Sequence, residues 1–92
     1  EAGFGRYDIL LIPNVPNDKQ YAVIIEFKAP LINAQEEKEI LKTLDQSANE
    51  ALQQIKDKKY SLEARDRGCN KILHLGIALH KKYLSVKYNK EE

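Results

Sequence analysis

Charged side chains interrupt two segments that are otherwise apolar, and they are the residues best placed to do chemistry. The segment Tyr21–Lys28 is rich in β-branched and aromatic residues, which predicts a central strand buried on both faces. Alternate side chains of a strand share a face, so Ile24, Glu26 and Lys28 point to the side opposite Phe27. Burying an ion is costly unless it is paired or binds a metal. The pattern therefore indicates either a Glu26–Lys28 ion pair or a functional site.

Asp8 places a second carboxylate among apolar neighbours. The segment Arg6–Ile12 alternates and predicts a first strand, in which Asp8 shares a face with Leu10 and Ile12. The next residues, Pro13–Asp18, are dense in turn formers, so we expect the two strands to pair as an antiparallel hairpin. Both carboxylates and the lysine then project from neighbouring strands.

A helical region follows the second strand. Asn33 and Glu36 have the spacing of a capping box, which predicts a helix beginning near Ala34. Apolar residues then recur at three- and four-residue intervals and predict one buried stripe that ends near Tyr60 or Leu62. The stripe consists of Ile40, Leu41, Leu44, Ala48, Ala51, Leu52 and Ile55.

The sequence leaves open whether this region is one helix or two. Asp45 and Ser47 are both plausible caps for a second helix. Arg65 before Gly68 predicts a helix end, since cations favour the negative end of the helix dipole and glycine accepts the left-handed cap.

Two further strands are predicted after the helical region. Lys71–Leu79 alternates, with Leu73, Leu75, Ile77 and Leu79 on one side and Ile72, His74, Gly76 and Ala78 on the other. Tyr83–Tyr88 predicts an edge strand, and the polar tail Asn89–Glu92 is expected to fray. The element order β-β-α-β-β predicts an α/β fold with a mixed sheet flanked by helix.

Composition limits the class of protein. The 92 residues are 42% hydrophobic and 32% charged, which suits one small α/β domain spanning 1–92. No membrane span or leader is signalled, so we expect a cytoplasmic protein, and the single Cys69 is interpreted as a small core filler. Residues 1–50 carry five Lys/Arg and nine Asp/Glu, whereas residues 51–92 carry ten and five. The basic second half either binds phosphates or is simply solvated.

The chain resembles a known family over nearly its whole length. Asp8 within Glu1–Ile9, followed by Glu26-Phe27-Lys28, resembles the signature of the PD-(D/E)XK nuclease superfamily. The amino-acid sequences of these segments, and of Glu50–Tyr60 and Ile72–Ala78, resemble one branch of this superfamily. That branch is found at the C-terminal end of bacterial AAA-ATPase-like proteins. The resemblance implies a restriction-endonuclease-like fold and a metal-dependent nuclease.

The resemblance also implies roles for individual residues. Asp8, Glu26 and the backbone carbonyl of Phe27 would bind Mg²⁺ or Mn²⁺, since hard oxygen ligands suit these ions. Lys28 would orient the attacking water or stabilise the charge of the transition state. Gln54 would donate a hydrogen bond to a phosphate oxygen or to water; without the resemblance it would be an ordinary helix-surface residue.

Other polar residues keep two interpretations each. Arg6 either contacts phosphate or is solvated, and Tyr60 either lies at the site or belongs to the edge of the core. His74 and His80 lack partners at metal-ligand spacing and are interpreted as structural.

Three function classes follow. The leading hypothesis is a nuclease that hydrolyses phosphodiester bonds in DNA with a divalent metal. The alternative is a weak or inactive nuclease-fold module that binds nucleic acid or regulates an attached ATPase. A structural or protein-interaction domain is the third.

The resemblance implies a helix ahead of the first strand, and the chain lacks room for it. Glu1–Gly5 is too short and too rich in glycine for a stable helix. We therefore expect the N-terminal helix to be absent and one apolar sheet face to be uncovered, including several of Tyr7, Ile9, Leu11, Ile25 and Phe27. The expectation is a fragment of a longer protein, packed against the rest of that chain, or a homodimer.

Overall fold

One long helix packs on one face of a four-stranded sheet. The computed structural model describes residues 8–14 and 19–92. Its elements are β1 (Ile9–Leu11), β2 (Ala22–Lys28), α1 (Glu37–Asp57), α2 (Ser61–Asp66), β3 (Ile72–His80) and β4 (Tyr83–Glu91). The sheet order is β1-β2-β3-β4, with β2 and β3 parallel and the two outer pairs antiparallel. The predicted mixed α/β architecture is confirmed, whereas Arg6, Tyr7 and most of the predicted turn lie outside the described residues.

The predicted hairpin of β1 and β2 is confirmed. Ile9 pairs with Ile25 in antiparallel register. Leu10 and Ile12 pack against the core, whereas Ile9 and Leu11 are exposed, so the predicted alternation holds. The register places consecutive residues of β1 on opposite faces of the sheet.

The prediction that both faces of β2 are buried is wrong for one face. Ala22, Ile24 and Glu26 are buried, but Phe27 on the other face is 38% exposed. The physical reason is that α1 packs against β2, β3 and β4 from one side. The run of apolar residues in β2 predicts a strand covered on both sides, but the sequence does not identify what would cover each side.

Gly76 explains which side of β3 faces the helix. A Cβ atom at this position would lie 2.3 Å from the carbonyl oxygen of Ala48 and 2.7 Å from the backbone nitrogen of Leu52. The backbone of α1 therefore rests directly on β3, and the side with the smaller residues is the buried one. The larger leucine and isoleucine side chains of β3 point away from the helix.

The helical region is one long helix followed by a short one. Asp45 caps no second helix, because its carboxylate accepts a 2.5 Å hydrogen bond from the hydroxyl of Ser85 on β4. The predicted capping box is wrong: Glu36 is the N-cap residue and makes no side-chain cap hydrogen bond. Lys59 adopts a φ of 55°, and this left-handed residue separates α1 from α2.

The predicted helix end at Gly68 is confirmed. Gly68 has a φ of 89°, and its N–H donates to the carbonyl of Arg65. The next N–H, of Cys69, donates to the carbonyl of Ala64. Glycine fits this cap because it has no Cβ to clash in the left-handed conformation. Cys69 is buried in the core, as its interpretation as a filler requires.

The expected fraying of the C-terminal tail is wrong, because β4 continues to Glu91. Glu91 pairs with Ile72 across the strands, and its carboxylate lies 2.8 Å from the guanidinium of Arg65 on α2. Oε2 of Glu91 also lies 2.5 Å from Nε2 of buried His74, close enough for an ion pair although outside hydrogen-bond angles. Burial raises the pKa of Glu91, but hydrogen bonds from Arg65 and Ser61 and the nearby His74 outweigh it and lower that pKa overall.

The two faces of the sheet are therefore unlike. The helix-covered face contains the core, which includes Ile24, Leu44, Ile55 and Ile72 as its largest fully buried side chains. We call the other side the open face. It comprises Ile9, Leu11, Val23, Ile25, Phe27, Leu73, Leu75, Ile77, Leu79, Leu84, Val86 and Tyr88. Neither described helix has the length and hydropathy needed to cross a membrane.

Candidate functional site

The pairing of β1 with β2 sets the two carboxylates on neighbouring strands. Ile9 pairs with Ile25, and Asp8 precedes Ile9 while Glu26 follows Ile25. The N–H of Asp8 donates to the carbonyl of Ile25 at 3.1 Å. The carboxylate of Asp8 accepts a 2.7 Å hydrogen bond from the N–H of Phe27. These two bonds fix Asp8 beside the C-terminal half of β2.

The Phe27 backbone contributes a third oxygen on the same side. The N–H and C=O of one residue in a strand point to the same edge of that strand. Because the N–H of Phe27 points to Asp8, its carbonyl also points to the β1 side. Two carboxylates and one carbonyl therefore lie at adjoining positions of the hairpin.

Glu26 is the buried member of the pair, with 3% of its surface exposed. It lies next to Gly76 in the parallel register, and α1 passes directly over Gly76. Removing a carboxylate from water is costly unless hydrogen bonds or opposite charges compensate. The close packing of α1 on β3 therefore keeps the Glu26 carboxylate out of contact with bulk water.

Lys28 is anchored to α1. Its ammonium group donates a 2.8 Å hydrogen bond to the side-chain oxygen of Gln54. The amide nitrogen of Gln54 in turn donates to the hydroxyl of Tyr60 at 3.3 Å. Tyr60 is buried, with 4% exposed.

The geometry brings most of the predicted site residues together. Asp8, Glu26 and Phe27 meet at the hairpin, and Lys28 connects them to Gln54 and Tyr60. Within residues 8–14 and 19–92 no group of three or more His, Cys, Asp or Glu side chains could hold a metal ion. A metal at this position would therefore need oxygen atoms from the backbone or from water in addition to the two carboxylates.

Other candidate residues lie elsewhere. Arg6 is outside the described residues. His74 contacts Glu91 on the β4 side of the sheet, away from the β1–β2 hairpin. His80 pairs with Tyr83 next to the turn between β3 and β4.

Gly76 is the residue whose importance sequence reasoning missed. The alternation of the strand places it on the side with the smaller residues and indicates no role for it. The signal was present in the sequence, because small residues at positions 76 and 78 of an otherwise bulky strand are typical of close backbone approach. What the sequence does not show is that the helix crosses beside Glu26.

Comparison with known proteins agrees with the geometry. A family model for the PD-(D/E)XK nuclease superfamily matches residues 1–89. Searches of curated proteins and of solved structures find no match. The family match covers almost the entire chain, including both strands that carry the carboxylates. The chain therefore belongs to the PD-(D/E)XK nuclease superfamily.

Proposed function

We propose that this domain hydrolyses phosphodiester bonds in DNA with the help of a divalent metal ion. The observation that carries the proposal is that the Asp8 carboxylate is bound by the N–H of Phe27, between Glu26 and a lysine held by α1. Membership of a nuclease superfamily supports the reaction class. The DNA substrate and the metal dependence are our inferences from the site chemistry.

The donor set fits Mg²⁺ or Mn²⁺. Asp8, Glu26 and the carbonyl of Phe27 offer hard oxygen ligands, and neither thiol nor imidazole is among them. A third oxygen from the backbone suits Mg²⁺, which is usually held by one or two carboxylates together with waters. When bound, such an ion would supply a water of lowered pKa and positive charge beside the scissile phosphate.

Lys28 would act on charge that develops during the reaction. Its ammonium group is held 2.8 Å from the oxygen of Gln54, so it is positioned before any substrate arrives. A preorganised cation stabilises a developing negative charge without the cost of reorganising solvent. Gln54 would act mainly by positioning Lys28, and Tyr60 by positioning Gln54.

The positive charge of the second half of the chain supports nucleic acid as the substrate class. Residues 51–92 carry ten Lys/Arg against five Asp/Glu, an excess of five positive charges. Such an excess favours binding to a phosphate backbone. We further propose, from the resemblance of Glu50–Tyr60 and Ile72–Ala78, that the domain belongs to the branch attached to AAA-ATPase-like proteins.

Plasmid cleavage tests the proposal directly. The purified chain is incubated with supercoiled plasmid and Mg²⁺ or Mn²⁺, with an EDTA control and with the Glu26→Gln variant. We expect nicking that requires the metal and disappears in the variant. Glu39→Ala, which removes an exposed carboxylate from the first turn of α1, is the matched control and should cleave normally.

The alternative function gives a different result. A module that only binds nucleic acid would retard DNA in a gel with either metal but leave plasmid, linear duplex and single strands intact. That result with folded protein would overturn the nuclease proposal.

A further inference from the structure

The open face holds seven of the nine large hydrophobic residues that are exposed in the described part of the chain. Seven of its side chains are exposed, with fractions from 38% for Ile9 and Phe27 to 65% for Tyr88. Its other five residues are half-buried, and both described helices lie on the opposite side of the sheet. Contiguous apolar patches of more than a few hundred Å² are rare on soluble monomers and mark interaction sites.

The exposed area of the open face approaches what a stable protein interface needs. With about 150 to 200 Å² per fully exposed large side chain, the seven exposed residues offer about 500 to 650 Å². The half-buried residues between them bring the total toward the roughly 800 Å² per partner of a standard interface.

The chemistry of the open face suits self-association. All twelve of its residues are apolar or aromatic, and the nearby charges lie at its ends. Lys71 and Lys90 flank the ring of Tyr21 at one end, each 5.7 Å from its centroid. Lys82 lies over Tyr83 beside the turn at the other end. An uncharged centre can meet its own copy about a two-fold axis without opposing like charges.

We propose that the open face binds a second copy of this chain and forms a two-fold dimer by sheet-on-sheet packing. Two sheets stack about 10 Å apart when their inner faces interdigitate. The helices would lie outside, and each Asp8–Glu26 site would stay accessible on the outer side of its own sheet. The dimer does not depend on the proposed nuclease activity, because no residue of that site belongs to the contact except the ring of Phe27.

Sedimentation equilibrium and light scattering over low micromolar to near-millimolar concentrations test the dimer. We expect a mass of twice 10.6 kDa at the upper concentrations. Val86→Lys places a charge on the open face midway along the edge strand β4, on a side chain already 45% exposed, and should yield a monomer. Leu84→Lys, at a residue 54% exposed on the same strand, should also yield a monomer. It provides a second test in case Val86→Lys does not fold.

The matched control is Leu62→Lys on α2, where the wild-type residue is 56% exposed and lies off the open face. It should leave the dimer unchanged, and circular dichroism checks the fold of each variant. A wild-type chain that stays monomeric at every concentration, or that forms open-ended polymers, would overturn the proposal. Equal loss of dimer in the Leu62→Lys control would also overturn it.

Discussion

Asp8 and Glu26 lie in the same hairpin but differ in exposure to solvent. Asp8 is exposed and held by the Phe27 N–H, whereas Glu26 is buried under α1. Neighbouring carboxylates repel one another when both are ionised. If the two side chains bind a divalent cation as we propose, the ion would relieve this repulsion and metal binding would stabilise the fold.

Millimolar Mn²⁺ should therefore raise the melting temperature of the wild-type chain. A ligand at a hundredfold excess over its Kd stabilises the native state by about 2.7 kcal/mol. In a domain of this size each kcal/mol corresponds to about 4 to 8 °C. Asp8→Ala should show little shift in the same differential scanning measurement, and Glu39→Ala should shift like the wild type. An equal shift in the Asp8→Ala protein would remove Asp8 from the metal site.

Lys28 should matter for turnover and not for metal affinity. Removing a group that stabilises transition-state charge typically lowers the rate by about 10² to 10³, and we expect a loss of that order for Lys28→Ala. The Mn²⁺-induced thermal shift should persist, because lysine is not a metal ligand. Gln54→Ala should cause a smaller loss, since the ammonium group remains but is no longer held at 2.8 Å.

Plasmid cleavage rates at saturating metal, compared with the thermal shifts, separate these effects. Lys42→Ala on the exposed surface of α1 is the matched control and should keep the wild-type rate. Full activity of Lys28→Ala would be incompatible with the proposed role.

At the scale of elements, the seating of α1 on β3 depends on one missing methyl group. Gly76→Ala should destabilise the fold toward the upper end of the about 1 to 3 kcal/mol typical of overpacking. The reason is that its Cβ would meet backbone atoms of α1, which cannot rotate away as a side chain could. Denaturant unfolding measures the loss, and cleavage activity should fall as well because Glu26 lies beneath the same helix.

Ala78→Gly is the matched comparison, because it changes one methyl group in the opposite direction two residues along the same buried face. It should be milder than Gly76→Ala and should leave activity largely intact. Wild-type stability of Gly76→Ala would mean that α1 does not rest on β3 as closely as described.

Glu91 connects β4 to α2 and should make stability depend on pH. Its pKa is lowered in the folded state, so its ionised form stabilises the fold above the ordinary value of 4.5. This contribution is lost as the pH falls through the folded-state pKa. Because Arg65 is 41% exposed, we expect only about 0.5 to 1 kcal/mol between wild type and Glu91→Gln at neutral pH.

Chemical unfolding at a series of pH values checks this expectation. The difference between wild type and Glu91→Gln should shrink as the solution becomes acidic. Glu36→Gln, at the exposed start of α1, should follow the wild type throughout. A difference that grows in acid would give the wrong sign and contradict the assigned cause.

The elements differ in how well the sequence predicts them, and the reasons are physical. The alternation in β1 and β3 determines which side chains share a face, so these assignments hold. The apolar stripe of α1 likewise specifies a helix. Local capping signals failed at Glu36, which makes no side-chain cap hydrogen bond, and at Asp45, whose carboxylate accepts a tertiary hydrogen bond from Ser85.

The parts of the candidate site that lie close together in the sequence were predictable, whereas the contacts between distant segments were not. The hairpin that contains Asp8 and Glu26 joins strands that follow one another in the chain, so residue types and spacing were enough to predict it. The bond of Lys28 to Gln54 joins residues 26 positions apart and depends on how α1 crosses the sheet. No local pattern encodes that crossing, although the family resemblance already pointed to Gln54.

For the whole molecule, charge should control binding to DNA. The net charge is only +1, but the excess of basic residues lies in the second half of the chain. We expect the affinity of inactive Glu26→Gln for duplex DNA, measured in EDTA by fluorescence anisotropy, to fall steeply as salt rises. The slope of log K against log salt concentration is about −0.9 for each phosphate neutralised on B-DNA. Binding that is independent of salt would contradict a role for the basic half.

The parallel pairing of β2 with β3 has a consequence for the order in which the domain folds. Ala22 pairs with Ile72, so fifty residues must be closed into a loop before these strands can meet. Non-local pairing of this kind slows folding, whereas a hairpin such as β1–β2 forms within microseconds. The carboxylate pair can therefore assemble early in a segment of about twenty residues, but Lys28 reaches Gln54 only after the crossover is complete. We expect the hairpin to form within the dead time of stopped-flow mixing, so that the resolved refolding phase reports the crossover and is slowed by Gly76→Ala.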